Sequence, residues 1–111
     1  MEEINRYRKL VRNVIEKYAQ FRPAHGDVHV EVICDESQDH YELIYSGWSG
    51  PYRIHGSVLH IDIIDGKIWI QHNGVEDGVA DEFVAAGVPK DRIVLAFKSP
   101  EIRKHTGFAV T

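Results

Sequence analysis

The sequence predicts an α+β fold in which an N-terminal helix packs on a mostly antiparallel sheet. Apolar residues recur at three- and four-residue spacings over residues 3–21, which is typical of an amphipathic helix. Four runs of alternating apolar and polar residues follow between residues 28 and 72, joined by short polar turns. Because these strands are segregated from helices, we expect a four-strand meander, then a helix, a further strand and a short C-terminal helix.

The N-terminal helix is predicted from one apolar stripe, which is broad enough to cover one face of a sheet. Its members are Ile4, Tyr7, Leu10, Val11, Val14, Ile15, Tyr18 and Phe21. Pro23 cannot continue a helix, so we expect the chain to leave it through a loop over residues 23–26.

Two half-buried strands are predicted next, over residues 28–34 and 40–48. The first turns four apolar side chains toward the core: Val28, Val30, Val32 and Cys34. The second is expected to be broken by Gly47 and by the turn at residues 49–51, with Trp48 in the core or at its rim.

A long third strand is predicted over residues 52–64. Its apolar residues lie at even positions up to Val58, including Ile54, and at odd positions from Leu59 onward. One extra residue in the strand is therefore needed to keep both sets on the same face. Gly56 is the predicted position of this bulge.

Asp65-Gly66 is the strongest short signal in the chain and predicts a two-residue hairpin turn of type I′. The register that follows pairs Ile64 with Lys67, Asp62 with Trp69, and His60 with Gln71. Because side chains alternate across a strand, one face is core: Leu59, Ile61, Ile63, Ile68 and Ile70. The other face mixes polar and aromatic side chains: His60, Asp62, Ile64, Lys67, Trp69 and Gln71.

The C-terminal third is predicted to hold shorter elements. Asp77 is expected to cap a helix over residues 78–86, which Gly87 ends in a Schellman-type stop. The chain then continues in three segments: an apolar run over 93–97 suited to a buried strand, a short helix with Ser99 as N-cap and Pro100 at its first position, and a last short strand over 108–110.

Composition predicts a single cytoplasmic domain over residues 1–111. The single cysteine agrees with a reducing compartment, and neither a signal peptide nor an apolar run of roughly 18 residues is present. Residues 1–22 hold six Lys/Arg and three Glu, a net of +3, and the remainder holds seven basic against fourteen acidic residues, a net of −7, which sums to −4. This balance argues against a stand-alone, non-specific DNA binder.

The sequence holds no pattern typical of an active site, so we expect neither enzyme activity nor a cofactor. Cys34 falls on the predicted core face, where a thiolate is disfavoured. Seven histidines invite a metal hypothesis, but His60 and Asp62 share one strand face while His72 falls on the other. No spacing supplies three ligands, and no metal site is predicted.

The polar face of the hairpin is the predicted partner-binding surface. Trp69 is the type of residue that anchors protein interfaces when it lies on a polar surface. The alternative is that the first helix or the C-terminal segment packs over it. The predicted contact residues are His60, Asp62, Lys67, Trp69 and Gln71.

Several motifs, taken in order, resemble the XisI-like family of small cyanobacterial proteins. They are HIDI at residues 60–63, DGKIWIQ at 65–71, EDG at 76–78, GVPKDRIVLAF at 87–97 and FAV at 108–110. The resemblance runs over nearly the whole chain. Members of this family are named as controlling factors for excision of the fdxN element.

The resemblance implies an accessory protein of programmed DNA excision that acts through an XisH-like protein and a site-specific recombinase. Two alternatives stay open. One is a DNA-binding accessory protein that uses the basic face of the first helix: Arg6, Arg8, Lys9 and Arg12. The other is a small metal-dependent hydrolase or nuclease that uses His60, Asp62 and Lys67. Edge-to-edge pairing of the meander would also allow a homodimer, and the sequence favours neither a monomer nor a dimer.

Overall fold

The computed structural model describes residues 2–21, 27–76 and 78–111, and it confirms the predicted α+β fold. The first part holds a helix and a meander: α1 is Glu2–Ala19, β1 is Asp27–Asp35, β2 is His40–Ser49, β3 is Tyr52–Ile64 and β4 is Lys67–Asn73. The second part holds shorter elements: α2 is Val79–Ala85, a 3₁₀ turn is Lys90–Arg92, β5 is Ile93–Leu95 and α3 is Pro100–Arg103. The strands form one sheet in chain order, with β5 parallel to β4 and the other pairs antiparallel.

Helix α1 packs against one side of the sheet, which we call the core face. The core face consists of Tyr41, Leu43, Leu59, Ile61, Ile63, Ile68 and Ile70, all buried. The helix contributes Tyr7, Val11, Ile15 and Tyr18 from its predicted apolar stripe. Burying one large aliphatic side chain contributes about 1.5–3 kcal/mol, so helix and sheet stabilise each other mainly through this layer.

The hairpin between β3 and β4 has the predicted turn. Asp65 and Gly66 have φ angles of 52° and 76°, which is the left-handed pair that a type I′ turn requires. Ile64 pairs with Lys67 and Asp62 with Trp69, as predicted. The third predicted pair is wrong: His60 pairs with His72, because the register shifts beyond Ile61 and leaves Gln71 as an extra residue in β4.

The bulge predicted in β3 exists, but its position at Gly56 is wrong. Leu43 pairs with Leu59 and Ile44 with Ser57, so the extra residue is Val58. The carbonyl of Val58 accepts a hydrogen bond of 2.7 Å from the amide of Gly74, which gives that carbonyl a partner outside the β2–β3 ladder. The bulge allows Val58 and Leu59, although adjacent, both to pack with the core.

Strand β2 continues through Gly47 instead of breaking there. Gly47 is buried against β1, and a Cβ atom at this position would lie 2.1 Å from the Asp27 carbonyl oxygen, so the close approach of the two strands requires glycine. Trp48 is 52% exposed and does not lie in the core. Because side chains alternate along β2, Trp48 points away from the side of the sheet on which Leu43 and α1 lie.

Strand β1 is less buried than predicted. Val28, Val30 and Cys34 are partly buried, whereas Val32 is 43% exposed. Within the described residues β1 pairs only with β2 and forms an edge of the sheet, where less of each side chain is covered.

Of three predictions about the ends of α1 and α2, one falls on residues that the structure describes. The Schellman-type stop is confirmed: Gly87 has a φ of +100°, its amide donates to Val84, and the Val88 amide donates to Phe83. Pro23 and the loop over residues 23–26 lie outside the described residues. Asp77 does as well, and the residue that directly precedes α2 is Gly78.

The C-terminal segment differs in extent from the prediction. Strand β5 ends at Leu95, and Phe97 lies beyond it, 43% exposed. Helix α3 begins as predicted, with Ser99 at the N-cap and proline at its first position. The predicted last strand is reduced to one parallel bridge between Ala109 and Val94.

No helix within the described residues is long and apolar enough to cross a bilayer.

Candidate functional site

The side of the sheet opposite α1, which we call the open face, carries a row of polar side chains across β2, β3 and β4. We call its most connected part the polar cluster, which consists of His40, Glu42, His60, Asp62 and Gln71. Four of its members come from adjacent strands in register, because His40 pairs with Asp62 and Glu42 with His60. Gln71 joins from the bulge of β4.

Asp62 is the common partner within the polar cluster. Its Oδ1 lies 3.0 Å from Nδ1 of His40 and 3.1 Å from Nε2 of His60. Its Oδ2 accepts a hydrogen bond of 3.3 Å from the Gln71 side-chain amide. One carboxylate therefore holds three side chains from three strands, which restricts the rotamers of all of them.

Both ring nitrogens of His40 face carboxylates. Nε2 of His40 lies 3.1 Å from Oε1 of Glu42, on the opposite side of the ring from Asp62. Burial raises the pKa of the Glu42 carboxyl, but the nearby Ser57 hydroxyl and the His40 ring together outweigh it, so the pKa lies below its usual range. Glu42 is therefore an anion at neutral pH, and the ring lies between two negative groups.

The polar cluster is only partly exposed to solvent. The side chains of His40 and His60 are 35% and 27% exposed, and that of Asp62 is 20% exposed. The two imidazole rings are in contact, with centroids 4.5 Å apart and planes tilted by 59°. A solute can reach these groups, while the surrounding sheet holds them in place.

The other two predicted contact residues, Trp69 and Lys67, meet the C-terminal segment instead. The Arg103 guanidinium lies 5.7 Å from the Trp69 ring centroid, and the indole nitrogen is buried. Arg103 is itself fixed by hydrogen bonds to the carbonyls of Lys98 and Ala96. Lys67 donates to the backbone carbonyl of Thr111. The C-terminal segment therefore packs against Trp69, as in the alternative to an exposed Trp69. Lys67 hydrogen-bonds to the same segment.

Three of the four basic residues proposed for DNA contact also bind within the chain. Arg8 donates to both carboxylate oxygens of Asp39, at 2.8 and 3.1 Å. The guanidinium of Arg12 lies 2.9 Å from Glu36, and that of Arg6 donates to the Ala86 carbonyl. These contacts attach α1 to the β1–β2 turn and to the end of α2. They leave Lys9, which is exposed, as the remaining member of the predicted basic face.

Cys34 is half-buried, and its environment agrees with an unreactive thiol. Burial, which outweighs the favourable effect of nearby Arg12, raises the pKa of the Cys34 thiol. The thiolate is therefore a small fraction at neutral pH.

Sequence analysis missed His40 and Glu42 as members of the site. The turn between Ser49 and Tyr52 contained the signal. If these two residues are paired and the pairing is continued away from the turn, the register of β2 and β3 follows. With one extra residue in β3, this pairing places His40 opposite Asp62, whether the extra residue is assigned to position 56 or 58.

Comparison with known proteins gives one family model and six similar chains of solved structures, including two from Anabaena variabilis. The family model described as XisI protein matches residues 1–110 of the chain. A structure of a XisI-like protein from Anabaena variabilis ATCC 29413 is 38% identical, with a TM-score of 0.91 over 97% of this chain and 99% of that chain. A structure of fdxN element excision controlling factor XisI from Anabaena variabilis ATCC 29413 is 32% identical, with a TM-score of 0.87 over 98% and 99%. No curated protein matched the chain.

Proposed function

The chain belongs to the XisI family, and from this premise we propose that it is a non-catalytic controlling factor of DNA-element excision that acts through protein partners. The partners we propose are an XisH-like protein and a site-specific recombinase. The observation that carries the proposal is the match to a fdxN element excision controlling factor along almost the full length of both chains.

The open face supports binding to a protein. It carries Trp48, which is 52% exposed, and two half-exposed or exposed aliphatic residues, Ile44 and Ile64. Aromatic side chains on such a surface are typical anchors of protein interfaces. Along β2 and β3, the polar cluster lies between Trp48 and Ile64. It offers carboxylate, imidazole and amide groups for hydrogen bonds. We propose that the partner contacts this face, including His60, Asp62 and Gln71.

Charge favours a protein partner over direct DNA contact. The chain has a net charge of −4, and three basic side chains of α1 already bind acidic or carbonyl groups of the chain. Binding to phosphates would have to break these contacts. An acidic protein is better suited to bind a basic partner that itself handles DNA.

The proposal is tested by producing the chain together with the XisH-like protein of the same genome and measuring masses by size-exclusion chromatography with light scattering. We expect one peak whose mass is the sum of both chains in a fixed ratio. Two separate peaks at micromolar concentration would contradict the proposed partnership.

Variants of two exposed aromatic residues locate the contact. Trp48→Ala on the open face is expected to weaken the complex by about tenfold or more, as truncation of an interface anchor does. Phe97→Ala, beyond β5 and 43% exposed, is the matched control and should bind like the wild type. Equal affinities of both variants and the wild type would remove the open face around Trp48 as the contact.

The DNA-binding alternative is tested with the same protein alone. It predicts a complex with double-stranded DNA that weakens steeply as salt rises. Lys9→Glu is the suitable variant, because Lys9 is exposed, whereas Arg8 and Arg12 also hold α1 in place. Tight binding at physiological salt that Lys9→Glu abolishes would favour this alternative over our proposal.

A further inference from the structure

We propose that His40, His60 and Asp62 form a binding site for a divalent transition-metal ion, of which Zn²⁺ is the best-suited example. Within the described residues these three place their ligand atoms within 4.8 Å of one another. Two imidazoles and one carboxylate are a common ligand set for zinc and for related first-row metals.

Two of the three distances in the proposed site match those between ligands on one metal ion. Zinc binds histidine nitrogen at about 2.0–2.1 Å and carboxylate oxygen at about 2.0–2.2 Å, so two ligand atoms on a tetrahedral ion lie about 3.3 Å apart. Oδ1 of Asp62 is 3.0 Å from Nδ1 of His40 and 3.1 Å from Nε2 of His60. The ligand nitrogens of the two histidines lie within 4.8 Å of each other, and a small rotation of either ring about χ2, whose energy well is broad, can shorten this distance without moving the backbone.

The groups behind the ligands have the arrangement that metal sites use. A histidine that binds a metal generally donates its other ring nitrogen to a carboxylate or carbonyl. Glu42 is in this position, because its Oε1 lies 3.1 Å from Nε2 of His40. Gln71 donates to Oδ2 of Asp62 and so leaves Oδ1 for the metal. Two of the three ligands therefore have a second partner that fixes their orientation.

The electrostatics of the polar cluster also favour a bound cation. A neutral imidazole can donate from only one nitrogen, whereas both nitrogens of His40 face carboxylate oxygens. A positive charge on the Nδ1 side of the ring, from a second proton or from a metal ion, gives both carboxylates a favourable partner. Two carboxylates, Asp62 and Glu42, balance the charge of a divalent ion at a partly desolvated position.

The proposed site leaves room for a ligand from outside. Three protein ligands leave at least one tetrahedral position for water or for a side chain of another molecule. All three ligand residues are partly exposed, and they lie on the open face of the sheet. The site would bind metal on a surface that a second protein can reach.

Isothermal titration calorimetry of the tag-free chain with ZnCl₂ near neutral pH tests the proposal. We expect one ion per chain with a dissociation constant on the order of 1 μM, and weaker binding at lower pH, because the ligands must be deprotonated. Titration with Co²⁺ should give the visible absorption of a tetrahedral site. A wild-type chain that shows no saturable binding would overturn the proposal.

Four variants separate this site from adventitious binding by surface histidines. Asp62→Asn and His40→Gln remove a ligand and should each weaken binding by about 100-fold, and Glu42→Gln removes the group behind His40 and should weaken it by about tenfold. His55→Gln, an exposed histidine of β3 on the open face, is the control and should bind like the wild type.

Circular dichroism in the presence of a chelator establishes which variants fold. If Asp62→Asn does not fold, His60→Gln provides the same test, because it removes a ligand and leaves the shared carboxylate in place. Binding that survives in all folded ligand variants, or that falls as much in His55→Gln, would overturn the proposal.

Discussion

The two faces of the sheet are built from the same strands but are held by different forces. On the core face, Leu43, Leu59 and Ile61 are completely buried, and their contribution scales with the apolar area removed from water. On the open face, His40 and Asp62 are partly exposed and contact each other through directed polar contacts of 3.0 Å. Hydrophobic burial tolerates small shifts, whereas hydrogen bonds and metal ligation do not. The core face therefore supplies most of the free energy of folding, and the open face is the surface that we propose for binding.

Truncation of one isoleucine on each face should show the largest difference. Ile61→Ala leaves a cavity under α1 and should lower the free energy of unfolding by about 3 kcal/mol, within the range for buried aliphatic residues. Ile64→Ala, three residues later and 40% exposed, should cost about 0.5 kcal/mol. Urea denaturation followed by tryptophan fluorescence measures both. Similar losses would mean that the open face is covered in solution.

Alanine at two glycines compares a tight contact between strands with an open position. Gly47→Ala would place a Cβ atom 2.1 Å from the Asp27 carbonyl oxygen, so β1 must move, at a cost of about 2 kcal/mol. Gly56→Ala meets no atom within 4 Å and should raise stability by about 0.5 kcal/mol, since alanine loses less backbone freedom on folding. Thermal unfolding of both variants checks the signs, and a stabilising Gly47→Ala would contradict the close contact.

The hairpin turn between β3 and β4, helix α1 and the C-terminal end of α2 were predictable because their determinants are local. The type I′ turn needs only Asp65-Gly66, and the end of α2 needs only Gly87 and its neighbours. Each signal lies within a few residues of the structure that it specifies. The core face follows from the same alternation, since burial of every second residue fixes the register of β3 and β4 near the turn.

The polar cluster was only partly predictable because it depends on pairing between distant segments. His60 and Asp62 were identified from their own strand, whereas His40 joins them through a register that is set at the far end of β2. The bulge at Val58 is accompanied by a hydrogen bond from the Gly74 amide, a residue that lies outside β3. The cover over Trp69 comes from Arg103, more than thirty residues later in the chain.

Glu42 on the open face should contribute to the loss of stability at acid pH. The pKa of Glu42 is lower in the folded chain than its usual value near 4.5, so its contribution is present above that value and is lost as the pH falls through the lower folded pKa. Glu42→Gln should therefore flatten the fall in stability on the acid side. Denaturant unfolding at several pH values between about 3 and 7 measures this, and Glu31→Gln, an exposed position of β1, controls for the change in net charge. An acid limb identical to that of the wild type in Glu42→Gln would contradict the assignment.

Tyr41 on the core face should contribute to the loss of stability at alkaline pH. Burial and, next, the Asp39 carboxylate raise the pKa of Tyr41 to about 12, above the ordinary value of 10.0. A raised pKa stabilises the fold below pH 10, and this contribution is lost as the pH rises from 10 to about 12. Tyr41→Phe should flatten this alkaline loss, as followed by tyrosinate absorbance and circular dichroism. Tyr52→Phe, 74% exposed, is the control. A steep alkaline loss that persists in Tyr41→Phe would contradict this origin.

The two edges of the sheet also differ, because the end of the chain closes one of them. The Ala109 amide donates to the Ile93 carbonyl, so the outer side of β5 already has a partner. Strand β1, which within the described residues pairs only with β2, presents the other edge. Strand β1 is therefore the longer edge at which another chain could extend this sheet through backbone hydrogen bonds. If two β1 strands paired in this way, both of these edges would be consumed, and the assembly would end at a dimer instead of growing into a fibre.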